Sequence, residues 1–192
     1  MNEKGSTKRK ILKTAARLFR QQGYHATGLN QIIQESGTPK GSLYHYFPNG
    51  KEELAVESIR ITKANASLAL METLAPYHHV EEAFQALFAG FQEFVNNYDE
   101  EKEEGAPIGL LALETSSMSE PLRRICKESY EEWQKIFEAK MIECGIDQTR
   151  AKELSLVMIV LVEGAVTLSV VNKTSQPFII IAKQIPSLLN KS

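Results

Sequence analysis

The stretch TGLNQIIQESGTPKGSLYHYF, residues 27–47, has the pattern of two short helices joined by a tight turn. Leu29, Ile32 and Ile33 recur at helical spacing and predict one apolar face for the first of these helices. The face ends at Ser36–Gly37, where glycine can adopt the left-handed conformation that stops a helix. The first half of the stretch therefore predicts a short helix with a sharp end.

The second half, from Thr38 to Tyr46, predicts a small polar helix. The hydroxyl of Thr38 can cap it, and Pro39 suits its first position because no amide hydrogen bond is lost there. Leu43 is the expected inward anchor, and many of its neighbours can donate hydrogen bonds to phosphate. A helix, a glycine turn and a small polar helix form the unit that lays a recognition helix in the major groove of DNA.

Charge is distributed unevenly along the 192 residues. Residues 1–60 hold ten Lys or Arg and five Glu, a net charge of +5, whereas the remaining 132 residues hold 12 basic and 19 acidic residues, a net charge of −7. A basic segment on an otherwise acidic chain is expected where one end of a protein meets phosphates. Solvated helices can also differ in charge by chance.

The composition points to the cytoplasm. Two cysteines are too few for a disulfide framework, and the charged N-terminus MNEKGSTKRK predicts no signal peptide. Residues 154–171 form the one apolar stretch of nearly membrane-spanning length, but they include Glu163, which is costly inside a membrane. We therefore expect a buried or subunit-interface helix there, and no membrane association.

The expected fold is all-α, because no strand alternation is sustained and no repeat is found. A three-helix head begins with an amphipathic helix over 7–22, and a bundle of five or six further helices follows. Asp147 is expected to cap one of them, Pro186 to bend the last, and the acidic run at 99–104 to be a solvated linker. The predicted bounds of the later helices are 51–74, 80–98, 107–118, 120–144, 148–172 and 177–190.

With the helix that ends at Gly23–Tyr24 before it and the turn Phe47–Lys51 after it, the segment resembles the TetR/AcrR family of bacterial transcriptional repressors. The resemblance is specific over residues 6–60. Ala106–Gly109, the ALE at 112–114 and the PNGKEEL turn are similar to the LmrA/YxaF-like branch. The resemblance implies a helix-turn-helix DNA-binding domain over residues 1–50 and an effector-binding and dimerisation domain over 51–192.

The resemblance assigns base-edge contacts to Lys40 and Gly41, with Tyr44 beside them. A lysine can hydrogen-bond guanine, and a glycine lets the backbone approach thymine methyl groups, although Gly41 could also simply loosen a short helix. Hydroxyls, helix N-termini and cations are the expected phosphate contacts; the family often has His where Tyr46 stands. The full predicted DNA-binding set is Thr27, Thr38, Pro39, Lys40, Gly41, Ser42, Tyr44, His45, Tyr46 and Lys51.

The resemblance further implies that the larger domain holds a cavity for a small apolar or planar aromatic effector such as a flavonoid. The pocket candidates are apolar, aromatic or isolated acidic residues, although an aromatic stripe at helical spacing is more often plain core. They are Phe88, Phe91, Leu110, Glu114, Trp133, Phe137, Met158 and Glu163.

The last two helices are predicted to form a four-helix interface in a homodimer, as the resemblance implies. Their apolar surface would be a large exposed patch on a monomer, whereas core burial could explain either helix alone. Two-fold pairing predicts a palindromic operator in double-stranded DNA. The predicted interface residues are Val162, Gly164, Ala165, Leu168, Phe178 and Ile181.

No pattern predicts catalysis. His78–His79 has no cysteine or carboxylate at metal-ligand spacing nearby, and the chain contains neither a phosphate-binding glycine loop nor a G-x-S-x-G motif. We therefore expect no enzyme activity, no catalytic residue, no metal and no cofactor. The expected function is a ligand-responsive repressor; the alternative is a helix-turn-helix activator or adaptor whose large domain binds a protein.

Overall fold

A computed structural model describes residues 3–98 and 105–189, with side chains from Ser6 onward. These residues form helices and contain no strand, so the prediction of an all-α fold is confirmed. The acidic run predicted as a linker at 99–104, and the end of the last helix predicted at Asn190, lie outside the described residues. The helices are α1 (Glu3–Ala26), α2 (Leu29–Ser36), α3 (Lys40–Tyr46), α4 (Lys51–Leu74), α5 (Val80–Asn96), α6 (Ile108–Thr115), α7 (Glu120–Glu143), α8 (Gln148–Asn172) and α9 (Gln176–Leu189).

The chain folds into two compact units. The head unit comprises residues 1–65 and 99–129, and the body unit comprises residues 66–98 and 130–192. α4 and α7 each contribute residues to both units, whereas α6 belongs wholly to the head. The division by function at residue 50 stays a prediction, since the compact units cut the chain elsewhere.

The head is organised around the apolar stripe of α1. Ile11, Ala15 and Phe19 are fully buried, and Ile32 of α2 and Leu43 of α3 are buried with them. Fully burying an Ile, Leu or Phe side chain contributes about 1.5–3 kcal/mol to stability. This packing fixes α2 and α3 on α1.

Two glycines set the ends of the first two helices. Gly37 has φ 61°, and its N–H donates to the carbonyl of Gln34 at 3.2 Å, which confirms the predicted stop of α2. Gly23 has φ 80° and ψ 176°, a kink within α1 rather than its end. The first helix was predicted to end at Gln22. It ends at Ala26 instead, because a further helical turn follows the kink.

The predicted start of α3 needs a correction. α3 begins at Lys40, with Pro39 in the extended conformation before it and no side chain capping its first turn. The hydroxyl of Thr38 lies 2.7 Å from that of Ser36 instead, so Thr38 closes the turn and does not cap the helix.

The body unit is packed around phenylalanines. Phe84 meets Phe137 edge to face with ring centroids 5.6 Å apart, and Phe91 stacks on Phe178 at 5.5 Å. Asp147 caps α8 as predicted, since its carboxylate accepts from the N–H groups of Thr149 and Arg150 at 3.0 and 3.2 Å. Pro186 lies inside α9.

α8 is apolar on two sides. Met158, Ala165 and Ser169 are buried inside the body, whereas Val160 and Val171 are 63% and 72% exposed. Among the described residues α8 is also the one helix long and apolar enough, by length and composition alone, to cross a membrane. Its half-buried Glu163 and its buried face are features of a packed helix.

Candidate nucleic-acid interface

The outer face of α3 is exposed. Lys40, Gly41, Tyr44 and His45 are all exposed there. The ammonium of Lys40 lies 6.0 Å from the centroid of the Tyr44 ring, and a Cβ added at Gly41 would meet no atom within 4 Å. Packing therefore does not require glycine at position 41, and the face presents a cation, a bare backbone and two polar rings.

The opposite face of α3 anchors the helix. Leu43 and Phe47 are fully buried, and the ammonium of Lys8 on α1 lies 5.7 Å from the centroid of the Phe47 ring. Ser42 and Tyr46 are half-buried at the margin, where the Tyr46 ring meets His45 edge to face at 4.9 Å. The structure thus brings most of the predicted contact residues onto one short, firmly anchored helix.

Thr27 does not belong to this face. It is fully buried, and its hydroxyl donates to the carbonyl of Gly23 at 2.7 Å. The predicted phosphate contact through Thr27 is wrong for this structure, because the hydroxyl closes the last turn of α1. Thr38 is likewise 8% exposed, with its hydroxyl against Ser36.

Lys51 also points inward. Its ammonium donates to the carbonyl of Tyr24 at 3.0 Å and lies 4.3 Å from the centroid of the Tyr24 ring. Burial lowers the pKa of Lys51, and the nearby carboxylate of Glu114 opposes that change. Lys51, predicted as a phosphate contact, is therefore already engaged with Tyr24 near the end of α1.

We call residues 23–28 the α1–α2 junction. Its polar backbone is held from α6 as well as from α4: the N–H of Tyr24 donates to the carboxylate of Glu114 at 2.6 Å. The ring nitrogen Nε2 of His25 lies 3.0 Å from the carbonyl oxygen of Glu114. Burial raises the pKa of Tyr24, and the charge of Glu52 adds to that increase. A carboxylate from α6 and an ammonium from α4 therefore both hold the backbone of Tyr24 within the junction.

Glu114 was predicted to line the effector pocket, and the structure assigns it to the junction instead. Its side chain accepts from a backbone amide in the head unit. Leu110, another predicted pocket residue, is also in the head unit and is 39% exposed. Neither shares the body unit with the other six candidates. The spacing of α6 residues gave the correct helix but could not show which unit it packs with.

Segment 105–129 makes further polar contacts within the head that sequence reasoning missed. Arg20 donates to the carbonyl of Gly105. Thr62 donates to the carbonyl of Ala106 at 2.8 Å, and Ser119 donates to the carboxylate of Glu52 at 2.7 Å. The partners are 44 to 85 residues apart in the chain, so no local pattern could have indicated them.

The head also carries an open basic cleft of about 390 Å³ beside α1 and α2. Arg17 pairs with Glu35 across it at 2.5 Å, and this hydrogen bond lowers the pKa of Glu35. The lining residues are Lys10, Lys13, Thr14, Arg17, Arg20, Glu35 and Ser36. The basic excess noted in the sequence is thus concentrated partly here, away from α3.

The pocket candidates of the body unit lie in or beside its core. Phe88, Phe137 and Met158 are at most 1% exposed, and Phe91 and Trp133 pack partly buried against them. These contacts are those of packed core. A ligand among them would have to displace side chains that already touch.

Glu163 is the acidic group of this region. Burial raises its pKa, and a hydrogen bond from Tyr130 opposes the rise. The Tyr130 ring meets Trp133 edge to face at 5.7 Å. The polar groups of Glu163, Tyr130 and Trp133 therefore lie close together beside the apolar core of the body unit. In the sequence, the signal for this group was an isolated Glu within an apolar helix.

The predicted interface residues divide into two groups. Ala165 and Phe178 are 2% and 0% exposed, and Phe178 packs on Phe91, so these two are core and cannot face a partner without rearrangement. Gly164 and Leu168 are exposed, and Val162 and Ile181 are half-buried. For Ala165 and Phe178 the predicted interface role conflicts with their burial, and for the other four residues it stays a prediction.

Metal-ligating groups and the buried thiol were the remaining candidates for reactive chemistry. Within residues 3–98 and 105–189 no group of three His, Cys, Asp or Glu is placed to hold a metal ion. Burial raises the pKa of the Cys126 thiol to about 11, so the thiol is not ionised at neutral pH and is a poor nucleophile.

Two family models cover most of the chain. Residues 11–57 match the family "Bacterial regulatory proteins, tetR family". Residues 66–184 match the family "Transcriptional regulator LmrA/YxaF-like, C-terminal domain". The first match contains α3 and the junction, and the second contains the body unit's described helices up to Gln184 together with α6.

Individual proteins agree with these matches. The chain is 43% identical to the HTH-type transcriptional regulator YxaF of Bacillus subtilis, covering 100% of this chain and 99% of that protein. It is 44% identical to the regulator LmrA of the same organism, over 97% and 98% of the two chains. A TetR transcriptional regulator from Chloroflexus aurantiacus has the same fold, with a TM-score of 0.82 at 24% identity over 100% and 98% of the chains. The chain is therefore a DNA-binding transcriptional regulator of the TetR family with an LmrA/YxaF-like C-terminal domain, and not an enzyme.

Proposed function

We propose that the protein is a cytoplasmic repressor that binds a palindromic operator as a homodimer and is released by a small apolar or planar aromatic effector. The observation that carries the DNA-binding part is the exposed face of α3, backed by the buried Leu43 and Phe47. A short helix with one face locked into a core and the other free of packing can enter the major groove without refolding.

Within that face the contacts divide by chemistry. Lys40, Gly41 and Tyr44 are suited to base edges, because a lysine donates to guanine O6 and N7 and bare backbone admits a thymine methyl. Ser42, His45 and Tyr46 are suited to phosphate, which fixes register without reading sequence. Pro39 is exposed at the start of the helix and can pack against the backbone of the duplex. Lys51, Thr27 and Thr38 are not part of this proposal, because their polar groups are engaged inside the head.

The homodimer rests on the outer face of α8 and α9. Val160, Leu168 and Val171 on α8 and Ile180 on α9 are each more than half exposed, and Gly164 between them has open space around it. Such an apolar patch is rare on a monomer, and an exposed glycine lets two helices approach closely. Two-fold pairing through this face would present two copies of α3 to half-sites about 34 Å apart, or a multiple of that distance.

The effector proposal rests on Trp133, Tyr130 and Glu163. A planar aromatic molecule can stack on the indole, and one of its hydroxyl groups can donate to the carboxylate that burial leaves poorly solvated. Its insertion would push on Phe137 and Met158, which pack in the same core. Because α4 and α7 run through both units, such repacking would shift them and change the separation of the two α3 helices.

The test is selection of duplexes from a random library by the full-length protein, followed by anisotropy titration with and without a panel of flavonoids. We expect a palindromic sequence to be enriched, and at least one flavonoid to weaken its binding. Failure to enrich any duplex would overturn the DNA-binding proposal. If a duplex is enriched but only a protein from the same cell releases it, the adaptor alternative replaces the effector proposal.

A further inference from the structure

We propose that Glu114 of α6 is a positioning residue for DNA binding: its carboxylate holds the α1–α2 junction, and through it the helix-turn-helix, in the conformation that reads DNA. This inference rests on the proposed function of α3. It goes beyond that proposal because it assigns part of DNA recognition to a helix that lies outside the helix-turn-helix sequence.

The first step is the kink at Gly23. In an uninterrupted α-helix the N–H of Tyr24 would donate to the carbonyl four residues earlier. The non-helical φ and ψ of Gly23 break that geometry and leave the Tyr24 amide without its helical acceptor. A half-buried amide needs a partner, and the carboxylate of Glu114 supplies it at 2.6 Å.

The Glu114 carboxylate packs closely against Gly23. A Cβ added at Gly23 would lie 2.4 Å from Oε1 of Glu114, so the carboxylate occupies the space that any other residue at 23 would need. The positive φ favours glycine at position 23, and any larger residue there would also have to displace the Glu114 carboxylate. The carbonyl oxygen of Glu114 also lies 3.0 Å from the ring nitrogen Nε2 of His25.

The junction connects α1 to α2 and is held by several further contacts. Tyr24 is held at both ends of its backbone, since its carbonyl accepts from Lys51 of α4 and from the N–H of Thr27. α2 begins only four residues after His25, and the Thr27 hydroxyl ties the intervening turn back to Gly23. The direction in which α2 and then α3 leave α1 is therefore set by a segment whose amide is held by α6.

Glu114 makes a charge-assisted hydrogen bond to a backbone amide, a type sensitive to small displacements of either partner. If α6 moves away, the Tyr24 amide loses its acceptor, and one of the contacts that set the exit angle of α2 is lost. The structure therefore contains a direct route from α6 to the recognition helix, in addition to α4.

The experiment uses the full-length chain and a duplex selected by the unsubstituted protein. Glu114→Ala removes the acceptor, Glu114→Asp keeps the charge but shortens the reach, and Glu114→Gln keeps an acceptor oxygen at full reach without the charge. We expect the Ala and Asp variants to bind the selected duplex about tenfold or more weakly, and the Gln variant to recover to within about threefold. Leu113→Ala is the matched control, because Leu113 is the neighbouring α6 residue and is 89% exposed.

Amide hydrogen exchange separates positioning from unfolding. In the Ala and Asp variants exchange at Tyr24 should accelerate, while the buried amide of Leu43 stays protected. Unchanged affinity in the Ala and Asp variants would overturn the inference, and so would equal losses in Ala and Gln or a loss of protection at Leu43 in parallel with affinity. If the unsubstituted protein enriches no duplex, the proposed function fails together with the inference, and the outcome is recognisable because the control protein itself does not bind.

Discussion

Segment 105–129 within the head and the core within the body are held in place by different kinds of contact. In the head, segment 105–129 is joined to α1 and α4 by directional polar contacts, such as Glu114 with Tyr24 and Ser119 with Glu52. The body is packed mainly through apolar rings, with Phe84 against Phe137 and Phe91 against Phe178. Hydrogen bonds lose strength when partners shift or tilt, whereas hydrophobic contact is non-directional. Directional contacts suit the exact positioning of a short helix, and non-directional apolar contacts tolerate repacking.

The largest expected effect tests the apolar cohesion of the body. Phe178→Ala removes a fully buried ring that contacts Phe88 and Phe91, and should lower the free energy of unfolding by about 3–5 kcal/mol. Urea unfolding of the full chain measures it. Ile142→Ala is the matched control, since Ile142 lies in the same unit but is 43% exposed, and its effect should stay near or below about 1 kcal/mol. A small loss in the Phe178 variant would mean that the ring belongs to an interface, as first predicted, and not to the core.

The next effect tests the reading face of the head. Lys40→Ala should weaken binding to the selected duplex by about tenfold to a hundredfold, because a lysine donating to guanine discriminates strongly between bases. Binding to a scrambled duplex should change much less. Lys135→Ala, which removes an exposed cation from the body unit, provides the comparison in anisotropy titrations. Equal losses on both duplexes for Lys40→Ala would show that this residue contacts phosphate.

A smaller effect shows whether Lys51 stabilises the head from within or contacts phosphate. The ammonium is directed at Tyr24, so Lys51→Ala should weaken operator binding by about threefold to tenfold through loss of a hydrogen bond within the head. The dependence of log K on log salt should keep its slope. A slope reduced by about one would instead indicate that Lys51 neutralises a phosphate, which was the original prediction.

The sequence predicted the elements whose signals are local. Gly37 stops α2 and Asp147 caps α8, because each acts within a few residues of itself. Leu43 is buried as expected, since helical spacing places it opposite the polar face. The recognition helix could therefore be found from about twenty residues of chain.

What the sequence could not give depends on distant partners. The role of Glu114 is set by Tyr24, 90 residues earlier, and the inward direction of Lys51 is set by the same residue. Thr27 has the chemistry of a phosphate contact, and only the fold shows that its hydroxyl is buried. Ala165 and Phe178 lie on helices with two apolar sides, and such a sequence does not reveal which side faces the core.

The smallest expected effect concerns Glu163 of the body unit, whose pKa is raised by burial. Because its folded-state pKa lies above the unfolded value of 4.5, the folded state binds more protons between the two values, and the free energy of unfolding falls as pH rises through that window. Glu163→Gln removes the buried charge and keeps an acceptor for Tyr130. We expect it to be more stable than the parent at pH 8, by about 1 kcal/mol at most, with the difference vanishing as pH falls below 4.5.

Urea unfolding at pH 8, 6 and 4 measures this trend, and Glu153→Gln, an exposed glutamate on the same helix, should show little change at any of the three. A parent more stable than Glu163→Gln at pH 8 would mean that the carboxylate is fully compensated by its neighbours. The Glu163 carboxylate would then have enough hydrogen-bond partners within the body, like the polar groups of the head. A ligand hydroxyl would gain little by binding to it. The sign of the stability difference between the parent and Glu163→Gln at pH 8 therefore decides whether the buried polar groups of the body, unlike those of the head, are incompletely compensated.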